Sequence, residues 1–382
     1  MEKRYKCPFC LHSFTKQQAV LVDDSRDVVK YKCPNQQLKD DATSLVCNRT
    51  LPINFFEHDS HVISISGATG VGKTFYLSAL LHQVLYNREL HRFGITGSLI
   101  GEANAVRELR NLLTEHRESG AAISASKPGI ELAGFVLHVT INRHGRRRSL
   151  YLSLFDNPGE KFTDPDYMHR NMFNVYKADA VLFLIEPIQI DSLADAVLDR
   201  YKDTKGRVDP GDLYDVVYNV TELLKYAQRN GHSGSTATAN TTDGQPWDGL
   251  RRMFSSTSQP DDRVQIPVAV GISKADLFHH VLLSEVPYDQ ADFAIKYLRG
   301  NRLDISLVDQ LSAELHDVLF DPNSGDLRLR SLLESSCKDY RLFALKSIDG
   351  NAYKDRTGIP EGQNTQGVLL PFLWLLHRLN LL

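Results

Sequence analysis

The chain has 382 residues, of which 42% are hydrophobic and 24% charged, with a formal net charge of −3. That length and apolar share allow one large or two ordinary domains with a full core. The charge balance gives no bulk electrostatic case for nucleic acid or an anionic membrane, and no apolar run approaches the ~20 residues a membrane span needs. The opening residues Met1-Glu2-Lys3-Arg4-Tyr5-Lys6-Cys7 lack the apolar core of a secretory signal. The expectation is a cytoplasmic chain whose five cysteines serve a metal before disulfides.

Cys7-Pro8-Phe9-Cys10 forms a C-x-x-C knuckle, followed by Cys33-Pro34 and Cys47. Two thiolates in one tight turn chelate an ion, and two more complete a tetrahedron. The stretches Val20-Leu21-Val22 and Val28-Val29-Lys30-Tyr31 between them are β-type. So short a segment has little core, so a structural Zn²⁺ would supply its folding energy. The expected ligands are Cys7, Cys10, Cys33 and Cys47. Because Cys33 and Cys47 are widely spaced, His12, His58 or His61 stands as an alternative for one of them. Cys337 reads as a buried thiol. Too few basic residues flank the unit to choose between nucleic acid and a protein partner.

The apolar run His61-Val62-Ile63-Ser64-Ile65-Ser66 leads into Gly67-Ala68-Thr69-Gly70-Val71-Gly72-Lys73-Thr74. Leu77, Leu80, Leu81, Val84 and Leu85 follow at helical spacing. Strand, glycine loop and helix in that order define a P-loop. The glycines let backbone N–H groups curl around phosphate oxygens, and the helix N-terminus points its positive end at them. Lys73 adds a charge at the β- and γ-phosphates, and the Thr74 hydroxyl suits Mg²⁺.

Residues 87–101 are glycine-punctuated and read as a loop. Residues 102–118 read as a helix with Ala105, Leu109, Leu112 and Leu113 on one side, and 119–129 as a loop. A hydroxyl that senses the γ-phosphate through Mg²⁺ belongs in this region. Thr96, Thr114, Ser124 and Ser126 all qualify. Phe135, Leu137, Val139 and Ile141 then alternate, as do Leu150, Leu152 and Leu154, around the turn Asn142-Arg143-His144-Gly145-Arg146. This predicts an antiparallel hairpin with Arg143, Arg146, Arg147 and Arg148 near its tip.

The second strand runs into Asp156-Asn157-Pro158-Gly159-Glu160. A carboxylate at a strand end beside a P-loop can hold Mg²⁺ through water, and Gly159 can offer its N–H to a γ-phosphate. The continuous run from Ala178 to Ile185 predicts a strand buried on both faces. Helical patterns cover 191–201 and 213–227, and 230–262 is polar and reads as a surface loop. A further core strand from Val264 to Ile272 ends in Ser273-Lys274-Ala275-Asp276. Guanine presents two donors on one edge, which the single carboxylate of Asp276 can accept; adenine has no amine there. The Lys274 stem can lie over the base. The span 277–333 reads as mostly helical. The last strand covers 340–345, and Lys346-Ser347 follows it at the place where a backbone N–H meets the guanine carbonyl. Residues 368–382 read as an apolar helix that packs on the sheet.

GATGVGKT, DNPG, SKAD and a final strand with Lys-Ser, in that order, resemble the translation-factor-related GTPases. The N-terminal cysteines, the DNPGE form, the strand ADAVLFLIEP and the tail LLPFLWLLHRL are similar to the double-GTPase group, which is predicted to act in bacterial anti-phage systems beside other GTPases. The resemblance implies an α/β fold with a mostly parallel sheet flanked by helices, and a switch controlled by GTP and GDP. It implies Lys73, Thr74 and Asp156 at phosphate and Mg²⁺, Lys274 and Asp276 at the base, and Glu160 where many such enzymes orient the attacking water. The expected organisation is a zinc-ribbon unit over 1–58 and a GTPase domain over 59–382, with inserts at about 191–263 and 277–333. Protein partners, such as another GTPase or an effector, and a homodimer are the expected associations. A non-hydrolysing GTP-binding adaptor and an ATP-using P-loop enzyme are the competing readings.

Overall fold

The structure is a computed structural model that describes residues 2–22, 29–35, 47, 49–86, 90–91, 93–101, 134–143, 145–157, 159–190, 193–194, 197, 211–230, 262–275, 298–299, 302–322, 325–347 and 367–382. The helix expected over 102–118, the loop over 119–129, most of 191–201, nearly all of 230–262 and residue Asp276 lie outside these residues.

Short strands bracket the first cysteine pair. β1 (Arg4–Lys6) and β2 (Ser13–Thr15) pair antiparallel, Arg4 opposite Thr15. The knuckle between them closes through Leu11 N–H to the Cys7 carbonyl and Cys7 N–H to the His12 carbonyl, both 2.9 Å, with Leu11 in the left-handed region at φ 57°. β3 (Val20–Val22) pairs with β4 (Lys30–Lys32), and Lys32 bridges to Thr50.

β5 (Asp59–Ser66) enters the main sheet and passes through the glycine loop into α1 (Lys73–Tyr86). β6 (Ile95–Ile100) corrects the expectation of a loop over 87–101. Its glycine is a packing requirement and not a turn. A Cβ on Gly97 would stand 2.5 Å from Val84 Cγ1 of α1. β7 (Phe135–Arg143) and β8 (Arg146–Asp156) form the expected hairpin, with Gly145 at φ 75° in its turn. α2 (Pro165–Asn171) starts with proline and is capped by Asp164, whose carboxylate accepts Tyr167 N–H at 3.0 Å. The short α3 (Phe173–Tyr176) leads to β9 (Ala180–Ile185), buried at every position.

α4 (Gly211–Arg229) precedes β10 (Val268–Ile272). The span expected to be helical over 277–333 also holds a hairpin of β11 (Leu298–Arg299) and β12 (Arg302–Leu303). α5 (Ile305–Leu319) and α6 (Leu327–Ser336) follow, capped by Asp304 and Asp326. Asp326 also accepts the Tyr214 hydroxyl at 2.7 Å, which ties α4 to α6. β13 (Tyr340–Ala344) and α7 (Leu369–Arg378) end the chain's regular structure. Leu369 to Leu376 are all buried, and the Trp374 ring lies 5.9 Å from that of Phe343, so the terminal helix packs on the sheet as expected.

Among the described residues, one seven-stranded sheet runs in the order β6-β7-β8-β5-β9-β10-β13. β8, β5, β9, β10 and β13 are mutually parallel, and β7 is antiparallel to both β6 and β8. The chain leaves β5 to one side for β8 and then crosses to the other side for β9. This reversal opens a crevice at the carboxyl end of β5, where open α/β sheets bind ligands.

The N-terminal unit shares its core with this sheet. Phe9, Phe14, Leu51 and Phe55 cluster with Val136 of β7 and Tyr151 of β8. Leu11 is fully buried against Val62, Phe155 and Phe173. Polar bonds stitch the same seam. Ser153 Oγ donates to the Pro8 carbonyl at 2.7 Å, and Tyr151 Oη donates to the Ile53 carbonyl at 2.9 Å. Lys177 Nζ donates to the Leu11 carbonyl at 3.2 Å. Lys6 Nζ reaches the Lys177 carbonyl at 3.0 Å and both Asp179 oxygens at 3.2 Å.

Candidate nucleotide site and cysteine cluster

The glycine loop leaves β5 against the end of β9. A Cβ on Gly67 would overlap the Leu184 carbonyl oxygen, so only glycine lets the loop pass. Gly70 and Gly72 take φ of 83° and 91°, which other residues rarely adopt. The turn brings Ala68, Thr69 and Val71 round to the N-terminus of α1, where Lys73 and Thr74 form its first turn. Lys73 is 8% exposed, and its ammonium donates to the carbonyls of Gly67 at 2.8 Å and Ala68 at 2.7 Å. Burial lowers its pKa to about 8, against the opposing pull of Asp156 and Glu160. Burial raises the Asp156 carboxyl, while Lys73 and the Thr74 hydroxyl draw it the other way. Thr74 Oγ1 donates to Asp156 Oδ2 at 2.8 Å. A hydroxyl and a carboxylate that meet at the first turn of a helix are the donor set that suits a hydrated Mg²⁺.

Gly159 follows in a 3₁₀ turn, Gly159–Lys161, that lies directly on the glycine loop. A Cβ at 159 would overlap the backbone of Ala68 and Thr69. Glu160 is exposed beside it. The structure thus brings Lys73, Thr74, Asp156 and Gly159 to one place. Thr96, a candidate γ-phosphate sensor, is instead exposed in β6, opposite Thr140. Thr114, Ser124 and Ser126 lie outside the described residues.

Asn157, to which the sequence assigns no role, has one in the structure. It is buried, and its Nδ2 donates to Ser64 Oγ at 2.9 Å and the Ile65 carbonyl at 3.1 Å. Its Oδ1 accepts Asn174 Nδ2 at 2.7 Å. The loop after β8 is thereby tied to β5 and α3. The only local signal was an amide between an aspartate and a proline.

Two strands away, Ser273-Lys274-Ala275 leaves β10 beside the end of β9. Ser273 donates to the Ile185 carbonyl twice, from its N–H at 2.8 Å and its hydroxyl at 3.1 Å. Lys274 stands in the left-handed region at φ 54°, and its ammonium pairs with Glu186. Ala275 N–H donates to the Leu345 carbonyl at 2.9 Å, and Leu345 N–H to the Ile272 carbonyl at 2.8 Å. These bonds seat Lys346 and Ser347 next to the Ser273–Ala275 turn. All these loops leave the carboxyl ends of neighbouring parallel strands, so they rim one edge of the sheet.

The four thiols assemble elsewhere, in the N-terminal unit. The Sγ atoms of Cys7, Cys10, Cys33 and Cys47 lie within 4.8 Å of one another and are buried. Cys7 and Cys47 are 3.9 Å apart, and Cys10 and Cys33 3.7 Å. A tetrahedral Zn²⁺ with Zn–S bonds of about 2.3 Å sets its sulfurs about 3.8 Å apart, so the cluster fits that ion. Sulfur–sulfur hydrogen bonds hold Cys10 and Cys47 below the ordinary thiol range and push Cys7 and Cys33 above it. The wide spacing of Cys33 and Cys47 is closed by backbone pairing. Cys33 N–H donates to the Arg49 carbonyl at 3.2 Å, and Cys47 N–H to the Asn35 carbonyl at 2.7 Å. Among the described residues no histidine joins the group. His58 instead packs its ring against His138 and Tyr151.

Strand order, glycine loop and the Thr74–Asp156 pair define a P-loop nucleotide-binding protein of the GTPase kind. The Double-GTPase 2 family model matches residues 61–291, and the chain belongs to that family, which supports binding of guanine nucleotide. No curated protein matches it. It is similar in structure to the GTPase-like domain of S. cerevisiae Ski7 bound to GTP, at 12% identity and a TM-score of 0.32. That match covers 84% of this chain and 50% of the Ski7 chain, so this chain spans about half of its length. A signal recognition particle receptor complex, SRb-GTP/SRX from Chaetomium thermophilum, is 14% identical with a TM-score of 0.28, covering 78% of this chain and 96% of that one. Likenesses this slight add nothing to the argument from topology and motif. Among the described residues no helix is long and apolar enough to cross a membrane.

Proposed function

We propose that the protein is a Mg²⁺-dependent GTPase switch that carries a zinc ribbon and regulates a bacterial defence or signalling complex. The observation that carries this reading is the meeting of Lys73, Thr74 and Asp156 under a glycine loop on which Gly159 lies. In this reading the backbone of Gly67 to Gly72 and the Lys73 ammonium hold the β- and γ-phosphates. Thr74 and Asp156 hold Mg²⁺, which neutralises phosphate charge when bound. Gly159 N–H meets the γ-phosphate, and Glu160 orients water for in-line attack. Ser273, Lys274 and Asp276 read guanine, with Lys346 and Ser347 at its carbonyl. Cys7, Cys10, Cys33 and Cys47 bind one structural Zn²⁺. The ribbon is assigned to 1–58 and the GTPase domain to 59–382, and partners include another GTPase, an effector or a second copy.

The deciding experiment is Mg²⁺-dependent GTP turnover by the purified chain, with ATP as competitor. GTP cleavage that stops without Mg²⁺ supports the reading. ATP displacing GTP at equal concentration overturns the guanine assignment. The exposed Glu160 favours one second reading, a GTP-binding adaptor with negligible turnover, because it stands where the usual residue that orients the attacking water is a glutamine. Bound GTP unchanged over hours in a single-turnover assay selects the adaptor.

A further inference from the structure

Lys274 is held by a carboxylate that the nucleotide motifs do not contain. Glu186 follows β9 and is 2% exposed, and its carboxylate pairs with the Lys274 ammonium across 88 residues of sequence. Its backbone is fixed as firmly. Glu186 N–H donates to Gln189 Oε1 at 3.0 Å, Gln189 N–H returns to the Glu186 carbonyl at 2.9 Å, and Gln189 is fully buried. Ser273 hooks the same turn from the other side through its two bonds to the Ile185 carbonyl.

Two physical points argue for more than glue. Glu186 is buried while the Lys274 side chain is 19% exposed, and such a pair adds little stability over apolar residues of the same shape, so stability alone does not account for it. Lys274 also has a left-handed backbone at φ 54°, a conformation that costs a non-glycine residue energy and persists only where its surroundings enforce it.

We infer that Glu186 is a positioning residue for guanine recognition. By claiming the Lys274 ammonium, it draws the charge toward the end of β9 and leaves the aliphatic stem as the platform on which a purine ring lies. The inference rests on the guanine reading above and deepens it. Glu186 touches no nucleotide atom in this scheme; it acts through Lys274.

The test uses the full chain and compares a fluorescent guanosine diphosphate with inorganic tripolyphosphate, which has no base. Glu186→Gln is expected to weaken the guanosine diphosphate about tenfold, because neutralising the buried partner of the pair frees the Lys274 ammonium from the end of β9. Displacement by tripolyphosphate should stay as in the parent. Lys274→Met and the double variant Glu186→Gln/Lys274→Met should bind the diphosphate equally, since Glu186 then has nothing to position. Glu186→Asp, which keeps the charge, should recover part of the loss and guards against a Glu186→Gln chain that does not fold. Equal weakening of both probes assigns Glu186 a merely structural role and overturns the inference. So does a Glu186→Gln protein with parental affinity, or an additive double variant. A parent chain that binds tripolyphosphate but no guanosine diphosphate removes the guanine reading itself, and this inference with it.

Discussion

Asp179→Ala probes whether the N-terminal unit is a fixed part of the nucleotide domain. Asp179 stands just before β9. Its Oδ2 accepts Val62 N–H at 2.8 Å, and both its oxygens take Lys6 Nζ at 3.2 Å. The Lys6 and Asp179 side chains are 18% and 13% exposed, so water screens the pair weakly. Removing the carboxylate strands the Val62 N–H and leaves the Lys6 charge uncompensated, with the Lys177 carbonyl as its remaining partner at 3.0 Å. Breaking a fully buried pair costs about 3–5 kcal/mol, and this one, with some solvent access, should cost about 2–3 kcal/mol. The pair Lys3–Asp59 serves as the control. Its side chains are 59% and 48% exposed, so its loss should lie within about 1 kcal/mol. Adding Lys6→Met to Asp179→Ala removes the stranded charge and should recover about 1 kcal/mol. Urea unfolding followed by tryptophan fluorescence measures all of these, with Trp374 buried beside Phe343 as a core probe. An Asp179→Ala protein no less stable than the Lys3 control would mean that the seam carries no load, and the shared-core description would fail.

Gly159→Ala puts a methyl into the Ala68–Thr69 backbone, and overpacking of about 1–3 kcal/mol should lower GTP affinity about tenfold or more while circular dichroism stays unchanged. Asp276→Asn should shift preference from guanine toward xanthine nucleotide, because the amide donates where the new carbonyl accepts; unchanged GTP affinity refutes its role. Metal analysis should give about one Zn²⁺ per chain, and stripping it should lower the unfolding midpoint; a metal-free, equally stable chain removes the ribbon assignment. Burial holds His61 and His138 below the ordinary histidine value. The unfolded chain, with histidines near about 6.5, therefore binds more protons than the folded one between the lowered values and that pH. Stability should fall as the pH drops below about 6.5. A urea midpoint at pH 5.5 equal to that at pH 7.5 would contradict this.

The glycine loop could be read directly because its chemistry is local: eight consecutive residues between a strand and a helix specify it. The hairpin of β7 and β8 was equally plain from alternation. What escaped was whatever depends on a distant partner. The stretch around Gly97 reads as a loop until Val84 of α1 is seen above it. Cys33 and Cys47 look too far apart until Arg49 and Asn35 close the gap through the backbone. Glu186 is one carboxylate after an apolar run, and nothing nearby in sequence announces Lys274. Asn157 likewise takes its partners from β5 and α3.

The extra edge strand also fixes where the chain between β6 and β7 is anchored. Ile100 at the end of β6 faces Val136 near the start of β7, and Phe135 faces Leu154 of β8. At the same end a Cβ on Gly134 would crowd the Phe155 ring at 2.7 Å, one residue before Asp156. β6 therefore ends, and β7 begins, at the edge of the sheet where Asp156 closes β8, like two buckles on one side of a belt. Of the four hydroxyls considered as γ-phosphate sensors, Thr96 is pinned along the edge strand, away from that end. Thr114, Ser124 and Ser126 fall in the sequence between those two strand ends, outside the described residues.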